Sequence, residues 1–141
     1  MSMLHERQIS QPDAARLAAV IDARALTHPF ERGDLDELAE VLAGAQVLPA
    51  HEVGEDRASL GARVAIRMLH DGAPPSRASL QLVAPEDAEP AKGRISVVSP
   101  LGRTLMGLRR GTRAPLSLPG GRAAEVEVLS VERPALEAVA Q

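Results

Sequence analysis

The sequence contains no cysteine, so neither disulfide bonds nor thiolate metal sites are open to it. It has no tyrosine or tryptophan, and Phe30 is its one aromatic residue. Sites that stack bases, sugars or flavins, or that cage a proline, rely on aromatic faces, and this composition argues against all of them. No apolar run approaches the roughly 18 residues needed to cross a bilayer. The stretch MSMLHERQIS carries charge early and lacks the apolar centre of a secretory signal, so a cytoplasmic protein is expected. His5, His28, His51 and His70 show no ligand spacing such as i, i+4. No glycine-rich phosphate loop, nucleophile elbow or catalytic triad can be read. A protein without cofactor, metal or enzymatic activity of its own is expected.

What the 141 residues do contain is enough apolar material for a core, at 45% of the chain. Charge is unevenly spread. Residues 1–62 hold 5 Lys/Arg against 11 Asp/Glu, a net of −6, and residues 63–141 hold 11 against 8, a net of +3. An acidic front and a basic back suggest two parts with different jobs.

The front reads as two helices. Ser10 can cap a helix in which Pro12 and Asp13 occupy the first turn, and Leu17, Val20, Ile21 and Arg24 follow on one stripe to about Leu26. Thr27 to Gly33 is a breaker-rich connection, and a second helix begins near Asp34 with Leu35, Leu38, Val41, Leu42 and Ala45 on its apolar stripe. Such a hairpin is only about 20 Å long at 1.5 Å per residue, and must lean on the rest of the chain.

From Gly61 the period changes to two. Val64, Ile66 and Met68 alternate with Arg63, Ala65 and Arg67, and Ala78, Leu80 and Leu82 continue the pattern beyond a turn at Asp71–Pro75. Ile95, Val97 and Val98 read as a third strand. Ser99-Pro100 opens a helix with Leu101, Leu105 and Leu108 inward and Gly107 as its stop. Leu116 and Leu118 precede a hairpin turn at Pro119-Gly120-Gly121, and Val126, Val128 and either Leu129 or Val131 face inward from the last strand. The expected organisation is α+β: a helical hairpin in 1–47, a linker in 48–61, a mainly antiparallel sheet with one short helix in 62–133, and a tail in 134–141.

The run from Leu82 to Glu132, LVAPEDAEPAKGRISVVSPLGRTLMGLRRGTRAPLSLPGGRAAEVEVLSVE, resembles the C-terminal domain of the bacterial Gre transcript-cleavage factors. Several motifs in order carry that likeness. It implies an FKBP-like fold and a partner, RNA polymerase, bound at the rim of its secondary channel. The Gre factors carry a much longer coiled-coil arm. A short arm on such a domain resembles the Rnk family, regulators of nucleoside diphosphate kinase, and the stretch from Ala45 to Gly72 is similar to that family too. The resemblance implies a regulator that competes with Gre factors without cleaving RNA, with no membrane and no sequence-specific nucleic-acid readout. A monomer is expected.

Two groups of residues follow as site candidates. The run GDLDELAE, Gly33 to Glu40, resembles the Gre arm-tip motif, and the likeness places Asp34 and Glu37 on the two acids that help hold a polymerase magnesium ion, with Asp36 between them. Carboxylates suit that task because magnesium takes hard oxygen ligands. The same two acids also fit a plain helix start, as a cap and its partner three residues on. The resemblance further places polymerase contacts at Ser99, Pro100, Gly102, Arg103, Gly107 and Arg109. Arg103, Arg109, Arg110 and Arg113 form a basic cluster around that helix, readable as a solvated face or as a surface for an acidic patch. The FKBP-like pocket of prolyl isomerases is lined by aromatics, which this domain lacks.

Overall fold

The computed structural model describes residues 7–70, 72–118 and 121–133. His5, Asp71, the turn residues Pro119 and Gly120, and the tail from Pro134 lie outside the described residues.

Helix α1 (Gln11–Thr27) starts where its cap dictates: the Ser10 hydroxyl accepts a hydrogen bond from the Asp13 amide at 3.1 Å, with Pro12 in the first turn. Helix α2 (Arg32–Gly44) follows a short 3₁₀ turn and returns alongside α1. Leu17 and Val20 of α1 face Leu35 and Leu38 of α2, and all four are buried. Arg24 does not join the apolar stripe. Its guanidinium forks onto Glu31, with both contacts at 2.7 Å, and closes the connection between the helices.

The C-terminal part is a five-stranded sheet. Strands β3 (Arg63–His70), β4 (Ser76–Val83), β5 (Arg94–Ser96), β6 (Arg113–Leu118) and β7 (Arg122–Glu132) lie in the order β5-β4-β3-β7-β6. All neighbours are antiparallel except β4 and β5. Helix α3 (Pro100–Leu105) crosses between the two edges. Alternation holds along β3, where Val64 and Ile66 are buried. On β7 the register shifts beside Ala65/Ile66, so that Ser130 and Val128 face consecutive residues of β3. This bulge resolves the choice left open for the last strand: Val131, not Leu129, resumes the inward phase against Val64. Val97 and Val98 need correction. The strand ends at Ser96, and both valines are buried in the turn that leads to α3.

Two short strands have no sequence signal. β1 (Gln8–Ser10) precedes α1, and β2 (Gln46–Leu48) follows α2; they pair in parallel and tie the base of the hairpin. The stretch 48–61 joins the two parts without being a free tether. Ala58 donates to the Leu108 carbonyl at 2.9 Å and accepts from the Gly107 amide at 2.8 Å, while Val53 and Ala58 are buried.

The hairpin does not project from the sheet domain. Leu17, Val20, Leu35 and Leu38 belong to the same apolar cluster as Val64, Ile66, Leu82, Leu105, Val126 and Val128. One continuous core spans both halves, which places the first turn of α2 beside α3.

Candidate functional site

The surface around α3 gathers most of the candidate residues. Ser99 caps the helix by accepting from the Gly102 amide at 3.1 Å, and its own hydroxyl donates to the Ser96 carbonyl at 2.7 Å. Gly102 lies against the backbone of Ser96 and Val97, where a Cβ would collide with the Ser96 carbonyl oxygen. Gly107 ends the helix in a left-handed conformation, φ 83°, the backbone geometry that favours glycine. A Cβ there would also press on Arg7 and Gln8 at 3.0–3.2 Å.

Arg7 finishes the far end of α3. Its guanidinium donates to the carbonyls of Thr104 and Met106, each at 2.7 Å, and of Arg103 at 3.3 Å. A helix leaves its last carbonyls without partners, and a cation placed there satisfies them and answers the negative end of the dipole. Burial lowers the Arg7 pKa from its ordinary value. Gln8 adds a backbone bond to the Gly107 carbonyl at 3.1 Å. Nothing local in the sequence marks Arg7 for this role.

The six expected contact residues divide by exposure. Gly102, Arg103 and Gly107 are buried and Ser99 is half-buried, whereas Pro100 and Arg109 face solvent. The buried ones shape α3; the exposed ones lie on the surface. Arg109 is paired with Asp56 at 3.0 Å. Arg113 lies on the sheet, 3.8 Å from Glu127, which also holds Arg67 at 2.6 Å. The four arginines of the basic cluster therefore do not form one free face.

Arg103 departs furthest from a surface contact. Only 8% exposed, it donates to the Val98 carbonyl and to Asp34 Oδ1, both at 2.8 Å, and its second terminal nitrogen lies 3.4 Å from Glu37 Oε1. The capping reading of Asp34 and Glu37 is thereby corrected. The residue at the cap position of α2 is Glu31, which makes no side-chain cap bond, and Asp34 sits within the first turn, turned toward α3. The spacing of three that suggested a cap pair instead puts both acids on the face that meets Arg103. Asp36 points away, beside a cavity of about 210 Å³ that Ile21, Ala25 and Leu35 also line. Among the exposed residues at the hairpin end are two large apolar ones: Leu26 is 87% exposed and Phe30 fully so.

At the other end of α1, Asp13 accepts from the Leu60 amide at 3.1 Å. Burial raises its pKa, against the lowering effects of that bond and of Arg133 and Arg16. No described helix is long and apolar enough to cross a membrane.

Residues 53–133 match the family model described as the C-terminal part of transcription elongation factor GreA/GreB. Among curated proteins, the GreA of Bradyrhizobium diazoefficiens is 35% identical over 100 residues, covering 71% of this chain and 61% of that protein. The GreA of Mesorhizobium japonicum is 31% identical over 103 residues, covering 73% of this chain and 63% of its own length. The chain thus spans about three fifths of the length of these relatives. A solved structure, a GreA/GreB elongation factor from Nitrosomonas europaea, is 28% identical, with a TM-score of 0.68 over 90% of this chain and 99% of that one. The mixed α+β architecture, hairpin included, is shared with it.

Proposed function

The chain belongs to the GreA/GreB C-terminal-domain family, and from that premise we propose that it regulates RNA polymerase by docking at the rim of the secondary channel, without cleaving RNA. On this reading it is a cytoplasmic monomer of the Rnk type that competes with Gre factors for one site. The observation that carries it is the disposition of the hairpin. Seventeen residues of α1 give about 25 Å at 1.5 Å per residue, and that length lies along the sheet domain with Asp34 and Glu37 held at Arg103. Carboxylates so placed are poorly suited to reach a metal ion deep in another protein. The docking face is Pro100 and Arg109, on a helix shaped by Ser99, Gly102 and Gly107.

The test mixes the protein with purified polymerase and a Gre factor on backtracked complexes. Binding to polymerase and a fall in Gre-stimulated cleavage as the protein is titrated are expected, by mass action. Absence of binding, or undiminished cleavage at saturation, rejects the proposal. Added without a Gre factor, the protein is expected to leave the RNA length unchanged; shortening that disappears with Asp34→Ala and Glu37→Ala would make it a cleavage factor instead.

A further inference from the structure

We propose that Arg103 is a positioning residue, a latch that fixes the end of the hairpin on α3, and that it is neither a polymerase contact nor a free charge. The functional part of this inference rests on the docking reading above; the latch itself does not. A buried guanidinium is held in place only if its donors are answered, and here three groups from two elements answer them: the Val98 carbonyl before α3, and Asp34 and Glu37 of α2. Burying an arginine with one of these groups missing would leave a charge or a carbonyl without its partner, so the three contacts form a unit. The acids sit at the rim, with side chains 44% and 64% exposed, and the arginine side chain at 10% lies beneath them. A partner approaching α3 from solvent meets the carboxylates first.

The latch gives the two tip acids a task incompatible with holding an external cation. Asp34 Oδ1 is already engaged at 2.8 Å, and both charges are set against one guanidinium. It also decides what the hairpin offers outward: with the acids turned toward α3, the large apolar side chains exposed at its end are Leu26 and Phe30.

Amide hydrogen exchange on the protein alone tests the latch without any reference to polymerase. The double variant Asp34→Asn/Glu37→Gln changes surface-accessible groups and leaves the core side chains in place. Its exchange across residues 29–44 is expected to rise about tenfold while β3 and β7 stay protected, because opening free energies are local. Arg103→Gln should do the same, Arg103→Lys should fall between, and the triple variant should exchange no faster than either parent, since members of one unit do not add. Unchanged exchange in the acid double variant, or effects that multiply in the triple, overturns the latch. In the polymerase competition assay, the acid double variant should weaken competition in proportion to its loosened hairpin. Weakened competition with an unaltered hairpin would instead make the acids direct contacts, and overturns the positioning role. If the wild-type protein fails to compete while the exchange results hold, the docking reading has failed and the latch stands.

Discussion

The two halves of this molecule reach order by different routes. Strands β3 and β7 pair over most of their length and bury Val64, Ile66, Val126 and Val128, so their side chains and backbone hydrogen bonds reinforce each other. The hairpin buries Leu17, Val20, Leu35 and Leu38 against the core it shares with the sheet, and charged groups do the rest of the fastening. Arg24 with Glu31 closes its turn, Arg103 fastens its end, and Arg7 with β1 fastens its base to α3. Helices of 17 and 13 residues are marginal alone, and these gain their order from the surface they lie on. A sheet with its own core can host such a hairpin; the reverse does not hold.

The sharpest way to break this asymmetry is at the host. Gly102→Ala puts a methyl group into the Ser96 carbonyl, a backbone atom that cannot swing aside. A loss of about 4 kcal/mol is expected, at the high end for a single change. Urea titration should show the hairpin and the sheet failing together. A cost below about 1 kcal/mol would mean that the turn before α3 yields.

Leu38→Ala removes a wholly buried side chain where the hairpin meets the sheet. Loss of about 3 kcal/mol is expected from transfer and cavity terms together. The informative measurement is coincidence of probes: one shared transition supports a single cooperative unit, whereas early loss of helical signal would show that the hairpin detaches first.

The smallest effect is electrostatic, and it separates two ends of α1. Arg24 depresses the pKa of Glu31, mainly through their hydrogen bond. A depressed acid stabilises the fold above its unfolded value and loses that contribution as pH falls through its folded value. With both side chains partly solvated, the pair contributes about 0.5 kcal/mol. Asp13 has the opposite sign. Its pKa is raised by burial, so its ionisation costs stability as pH rises from the unfolded value through the folded one. Denaturation between pH 7 and pH 3 should therefore lose acid sensitivity in Glu31→Gln and gain it in Asp13→Asn. Identical pH profiles for both variants would reject the contrast.

Local rules account for what could be read from residues alone. The Ser10 and Ser99 caps, the left-handed Gly107 and the alternation along β3 each depend on neighbours a few positions away, and each is found where expected. Val98 reads as a strand residue from sequence because an apolar side chain looks the same in a strand as in a buried turn. β1 and β2 carry no readable signal because each is 3 residues long and means nothing without the other. Arg103 sat in a basic-looking stretch, yet its direction is set by Asp34, 69 positions earlier. The family motifs located the α3 region, and only the packing showed which of its residues face outward.

Arg7 has a consequence for how the chain comes off the ribosome. The carbonyls it satisfies belong to residues 96, 97 and 99 positions downstream. Translation therefore delivers the arginine long before the helix end that receives it, and the nascent hairpin waits without its foundation until Gly107 has emerged. Distant closures of this kind slow folding relative to a helical hairpin on its own. A chain interrupted before α3 would lack that closure altogether, making it a ready target for proteolysis.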